Sequence, residues 1–291
     1  MPMMLKIKTY ANLCRIPLSL FAAASAATGY ALGPHPSPVQ AFATAASVFL
    51  LACGSSALNQ FQERDLDARM ARTRRRPLPS GALTPRHALG VSIALLASGL
   101  AGLAATRTIQ TAALGFVAIG WYNGLYTFLK KRTALAFLPG AIVGMIPPAI
   151  GWTAAGGSLL DPRLAVISLL FFLWQIPHVW LLLLQYGDEY EQAGLPSLAR
   201  WLNKNQIARL ALIWIIAVAT ASLALPLVIK ANALAIYAAL IPAAAWLAFS
   251  SFKLIGVDQG LAAQAVFRRV NAYILLVMCT LCLGPVIPSL Q

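Results

Sequence analysis

Asn59, Glu63 and Asp67 recur at every fourth residue of one charged stretch, positions 59–81, which also holds Asp65, Arg64, Arg69, Arg72, Arg74, Arg75 and Arg76. If the helix entering this stretch continues, the three side chains fall on successive turns of one face. An amide and two carboxylates so converged can hold a divalent cation such as Mg²⁺ when a phosphorylated ligand supplies further oxygens. A solvated, positively charged loop would explain the arginines as well, but not this spacing. A second polar set lies at Gln175, His178, Gln185 and Glu189, offsets 0, 3, 10 and 14, with Asp188 beside it. These share one helical stripe with Leu182 in the gap, provided Gly187 does not end the helix. Polar residues aligned on an apolar helix face a bundle interior and mark a site, the alternative being a packing stripe. His178 lies about 15 Å deeper along the axis than the acidic end.

The elements that must position these residues are membrane spans. Of 291 residues 59% are hydrophobic and only 10% charged, more apolar sequence than a soluble core of this size can bury. The expected fold class is all-α, a polytopic membrane bundle of about nine helices, forming one domain over 1–291 with cytoplasmic cap segments at about 59–85 and 187–206. Runs of spanning length occur near 16–34, 40–58, 86–106, 108–129, 134–156, 163–186, 207–229, 232–252 and 270–289. Alternating sides from the N-terminus puts nineteen of the 22 Lys and Arg on one face, leaving Arg107, Arg163 and Lys230 on the other. The excess sets the N-terminus in the cytoplasm and, with nine spans, the C-terminus outside. All acidic residues except Asp161 share the cytoplasmic side. The expected location is the bacterial cytoplasmic (inner) membrane. Met1 to Tyr10 is short and polar, so no cleavable signal peptide is expected.

A net charge of +14 invites a nucleic-acid reading, but the basic residues lie in short connections, where insertion and lipid headgroups account for them. No nucleic-acid partner is expected; the lipid bilayer is. Cys14, Cys53, Cys279 and Cys282 lack zinc-site spacing and read as small hydrophobes. Arg15, just before Pro17, points to the cytoplasmic mouth or snorkels to headgroups. Tyr126 and Lys130, one turn apart with Lys131 following, put a phenol and ammonium at the same mouth, or else form an interfacial belt. Pro147-Pro148 should kink or break its helix. His35, in the outer turn 33–38, and His87 read as surface residues.

Two acidic clusters on one membrane face, with basic residues from other loops, suggest a metal-diphosphate site opening into an apolar chamber. Carboxylates alone repel a diphosphate, so bridging Mg²⁺ is required. The chemistry favoured is ionisation of an allylic diphosphate, with a dry, aromatic-lined cavity shielding the carbocation.

The segment Asn59 to Gly81, ending Arg72-Thr73-x-x-Arg76-Pro77-Leu78, resembles the first signature of the UbiA superfamily of intramembrane prenyltransferases. Tyr126-x-x-x-Lys130-Lys131-Arg132-Thr133, Gly144-x-x-Pro147-Pro148-x-x-Gly151-Trp152, Trp174-Gln175-x-Pro177-His178 and Tyr190-x-x-Ala193-Gly194-x-Pro196 follow in order and are similar to its protoheme IX farnesyltransferase (haem O synthase) branch. The resemblance implies farnesyl transfer from farnesyl diphosphate to a vinyl group of haem b, with Mg²⁺ as cofactor and haem-handling or oxidase-assembly membrane proteins as partners. Carried over by position, Asn59, Glu63 and Asp67 match the first metal motif and Asp188 and Glu189 the second, together the catalytic and metal set. Tyr126, Lys130 and Arg72 match the diphosphate side, to which charge at the mouth adds Arg15, Arg76 and Lys131. His178, with Trp174 and Gln175, falls on the haem side, His178 as a candidate axial ligand. The chain departs from the pattern at Glu63, where Asp is usual, at Glu189, where an Asp-Tyr pair is usual, and at Ala136, where Asn is common. Two rivals stand beside this reading: prenylation of an aromatic or quinone-precursor acceptor, and a non-enzymatic transporter using the polar stripe as a conduit.

Overall fold

The computed structural model describes residues 3–106, 108–229, 233–256 and 259–283. Among them every regular element is a helix. A short α1 (Met3–Leu13) precedes α2 (Ile16–Ala31), α3 (Pro38–Asp67), α4 (Pro85–Ala104) and α5 (Ile109–Leu129). Then come α6 (Phe137–Ala154), α7 (Pro162–Gln192), α8 (Lys204–Val228), α9 (Ala233–Ser251) and α10 (Gln259–Leu283). Among the described residues eight helices, counting α6 with the turn before it and α9 with the turn after it, are long and apolar enough to span a bilayer, and α2 is a ninth apolar helix of 16 residues. The protein is an all-helical integral membrane protein. Large apolar side chains such as Phe42, Ile109, Leu227 and Phe249 are exposed, as lipid-facing surfaces require.

The helices pack in sequence around a central space. α2 lies against α3, α6 and α10; α7 lies against α6, α8 and α10. The main core gathers Trp152, Ile167, Phe171, Ile215 and Tyr273, and a second cluster joins Val48, Leu51, Leu103, Ile146 and Ile150. A third ties the cap to the bundle, with Leu78 packed beside Leu13, Ala57 and Ala88. Residues 68–83 are therefore ordered by burial of Met70, Thr73 and Leu78, and the Thr73 hydroxyl donates to the Asp67 carbonyl at 2.9 Å.

Three expectations change. Pro147 and Pro148 do not break α6, which is helical throughout Phe137–Ala154. The neighbouring α2 approaches so closely that a methyl at Gly29 would strike the Pro148 carbonyl, and one at Gly151 the Ala26 carbonyl. This direct backbone contact braces the proline-containing turn from outside. Gly151→Ala should therefore part α2 from α6 and cost about 1–3 kcal/mol, visible as a lower thermal midpoint of the detergent-solubilised protein. Second, α7 continues past Gly187 to Gln192, so the second cap segment begins as helix. Third, the last helix begins at Gln259, not 270, because Arg268 and Arg269 lie within it; Arg269 Nη1 donates to the Ser250 carbonyl at 3.0 Å. Arg107, Lys230 and the expected outer end of the last span, 284–289, with the C-terminus, fall outside the described residues.

Candidate active site

The charged ends of α3, α5 and α7 meet at two adjoining cavities. The first, about 310 Å³, is polar: Arg15, Arg72, Arg76 and Lys130 line it with Glu63 and Asp67, a formal surplus of two positive charges. Thr73, Tyr126, Thr133, Tyr190 and Ser197 complete its polar wall. The second, about 390 Å³, is mostly apolar and runs into the bundle past Phe21, Leu51, Ile150, Trp174 and Phe267 to Gln175 and His178. Arg15, Tyr126, Lys130, Phe137, Val179 and Leu182 line both, so the two compartments share a wall.

The carboxylates arrive on an uninterrupted α3, which puts Asn59, Glu63 and Asp67 on one face as their spacing requires. All three are buried. Lys130 Nζ approaches Glu63 within 2.6 Å and donates to Oε2; Oε1 is as near but receives no directed hydrogen bond. Arg76 Nη1 bisects the Asp67 carboxylate at 2.7 Å from each oxygen. Burial pushes the Lys130 ammonium below the ordinary lysine range, while the Glu63 carboxylate works against that fall. Burial also lowers Arg76, and the nearby Arg15 cation adds to the effect, with Asp67 opposing both.

Two local irregularities aim the cations. Arg15 sits between α1 and α2 with φ 46° and ψ 55°, the left-handed region that a non-glycine residue occupies only when its surroundings impose it. Its guanidinium donates to Asn59 Oδ1 at 3.2 Å and Tyr122 Oη at 3.5 Å. In α5, residues Gly120–Tyr126 form a π-helix, a widened turn that recurs at functional sites. It is stitched to α3: Asn59 Nδ2 donates to Thr127 Oγ1, Gln62 Nε2 to the Asn123 carbonyl, and Asn123 Nδ2 to the Ser55 carbonyl. Tyr122 and Tyr126 stack at 5.9 Å, and Lys130 Nζ lies 5.5 Å from the Tyr126 ring centre.

Several expected site residues lie elsewhere. Asn59 lines neither cavity; Arg15 donates to its oxygen, and its amide donates to Thr127 Oγ1. Asp188 is exposed: it falls two residues from both Tyr186 and Tyr190, about 200° round the helix from the face that meets the cap. Glu189 is half-buried and off both cavity walls, although its Oε2 is buried without a hydrogen bond. Lys131 is exposed and reaches the Gln62 carbonyl at 3.4 Å rather than the cavity. Accordingly, no cluster of three or more His, Cys, Asp or Glu assembles among the described residues. Arg72, though exposed, lies over the Tyr186 ring and lines the polar cavity, and Trp174, Gln175 and His178 line the apolar one. Sequence reading passed over Tyr122, Thr127, Phe267 and Asn271. Asn271 alone carried a usable signal, an amide inside an apolar run.

The family model of the UbiA prenyltransferase family matches residues 19–283. The chain belongs to the UbiA prenyltransferase family. Among its relatives, a protoheme IX farnesyltransferase of Geobacter sulfurreducens is 42% identical over 214 residues, 74% of this chain and 79% of that one. One from Anaeromyxobacter sp. is 38% identical over 266 residues, covering 89% and 88%. The UbiA fold is shared with solved structures at low identity. A structure concerning digeranylgeranylglyceryl phosphate synthase matches with TM-score 0.73 at 17% identity, covering 97% of this chain and 99% of that one. A UbiA homolog from Archaeoglobus fulgidus bound to GPP and Mg²⁺ matches with TM-score 0.65 at 16% identity, covering 94% and 99%. As a UbiA member the chain is an intramembrane prenyltransferase, which sets aside the transporter reading.

Proposed function

We propose that the protein transfers a farnesyl group from farnesyl diphosphate to a vinyl group of haem b, with Mg²⁺. The observation that carries this is the shared wall of Arg15, Tyr126 and Lys130, which joins a charged compartment to an apolar one. An amphiphile with a diphosphate head and an isoprenoid tail matches that division. The relatives named protoheme IX farnesyltransferase support haem as acceptor over a quinone precursor, as does a mostly apolar compartment with His178 on its wall.

The carboxylate pair fits a metal. Both acids are buried, they are one helical turn apart, and Glu63 Oε1 has no directed hydrogen bond. Glu63 and Asp67 would hold Mg²⁺, which supplies Lewis-acid stabilisation of the departing diphosphate. Asn59 serves by orienting Arg15, and the second acidic position, Asp188 and Glu189, remains part of the proposal only as groups flanking the mouth. Lys130, Arg15, Arg72 and Arg76 neutralise the diphosphate head. The bond from farnesyl C1 to oxygen breaks and its electrons leave with the diphosphate; the vinyl π pair then forms the new C–C bond. The cation this leaves beside the macrocycle is quenched by water or by proton loss. Tyr126 and Trp174 present aromatic faces that stabilise positive charge and exclude water until the bond forms.

The reading extends to placement. The enzyme sits in the bacterial cytoplasmic membrane, N-terminus and mouth at the inner face and C-terminus outside, supported by nineteen of 22 basic residues on one side. Haem-handling or oxidase-assembly membrane proteins would deliver the acceptor and collect the product. The test uses membranes carrying the protein, supplied with farnesyl diphosphate, Mg²⁺ and haem b. Farnesylated haem should form and disappear with a chelator, and prenylation of a quinone precursor instead would overturn the acceptor. For the acceptor side, His178→Ala should remove a haem-dependent optical signal of purified protein; an unchanged spectrum and affinity would remove His178 from it.

A further inference from the structure

The last helix places an amide against His178. Asn271 Oδ1 lies 2.8 Å from His178 Nε2, while Nδ1 lies 2.7 Å from the Trp174 carbonyl. A backbone carbonyl can only accept, so Nδ1 carries a proton and its lone pair is not available. Nε2 is therefore the one nitrogen that a metal centre in the cavity could use, and Asn271 occupies it. The ring is also clamped edge-on by Trp174 at 5.2 Å and by Phe267 at 4.8 Å, both nearly perpendicular. Phe267 stands one turn before Asn271 on α10 and shares the cavity wall with His178; Asn271 does not line that wall. Nε2 thus points at α10, while the His178 side chain contributes to the cavity wall.

We propose that Asn271 is a positioning residue that holds the plane of His178, whose tautomer the Trp174 carbonyl sets, and competes with haem iron for Nε2. The inference rests on the reading of His178 as an acceptor-side residue. It gives α10 a part in acceptor recognition: the imidazole stays latched to Asn271 until an iron centre makes a better bond. With the proton on Nδ1, Nε2 of the neutral ring can only accept, so the latch is made by the Asn271 NH₂ with its amide turned end for end.

The test is a titration of purified full-length protein in detergent with haem b, followed by its absorption spectrum, for the parent, Asn271→Ala, Asn271→Leu and His178→Ala. Removing the latch should tighten haem binding by about two- to tenfold, the value of one net hydrogen bond, and raise the fraction with a histidine-ligated spectrum. Asn271→Leu keeps the volume and serves if the alanine variant fails to fold. The gain should vanish when His178→Ala is added. Unchanged affinity and spectrum in the Asn271 variants would overturn the latch, as would a loss as large as that of His178→Ala. If His178→Ala itself leaves haem binding untouched, the acceptor-side reading fails, a separate result from failure of the latch alone.

Discussion

Asp67→Asn should lower farnesyl transfer in membranes by about a hundredfold or more, the scale on which a group stabilising a departing anion acts, with little loss of folded protein. Asparagine preserves the shape and still offers Arg76 one oxygen at the position now 2.7 Å from Nη1, so the cap should remain anchored. What disappears is one of two buried negative charges in a compartment that already has a surplus of cations. Head-group binding through the cations should persist or tighten, so KM for the diphosphate should hold while kcat falls and the Mg²⁺ requirement rises. A purely structural Asp67 would show the reverse: activity lost in proportion to the thermal midpoint and no change in metal requirement. Undiminished product would remove Asp67 from the metal site.

Lys130→Met should be the most destabilising single change at the mouth. It leaves Glu63, whose side chain is only 4% exposed, without its countercharge. Breaking a buried ion pair from one side costs about 3–5 kcal/mol, and the lower end applies here because Lys130 is itself a quarter exposed. Adding Glu63→Gln removes the orphaned charge, so the double variant should recover most of the lost thermal stability. It should not recover activity, since ammonium and carboxylate are both gone from the polar compartment. Thermal unfolding and product formation measured on the two variants and their combination separate the roles. Recovery of both would mean that the pair only braces the bundle.

The helical stripes were legible because membrane spans leave few alternatives. In a nearly charge-free run, the fourfold spacing of Asn59, Glu63 and Asp67 has meaning only on a helix, and the helix is there. The cap was legible as a charged stretch, 59–81, between two apolar runs. What one dimension hid was phase and partnership. Asp188 sits next to Glu189 in sequence but about 100° away around the axis, and the motif could not say which of the two faces inward. Asn59 matches a ligand position, yet its oxygen is committed to an arginine 44 residues earlier. Arg268 and Arg269 looked like the edge of a span, because one chain gives no sight of the Ser250 carbonyl that receives Arg269. Asn271 was passed over for the same reason: its partner lies 93 residues away.

The π-helical turn at Gly120–Tyr126 carries a consequence for how such a mouth can change. A widened turn amounts to one surplus residue in the count, so losing one residue there would let it close to an α-turn with the downstream phase kept, whereas losing one from the regular helix on either side would re-phase everything downstream by about 100°. Neither Gly120 nor Gly124 is held there by crowding, since a methyl on either would meet open space. The direction in which the ammonium of Lys130 points is thus written in the number of residues that precede it as much as in its own identity. Substitutions in this turn can be absorbed one at a time, whereas a single-codon deletion in the regular helix ahead of it would swing phenol and ammonium off the headgroup pocket together.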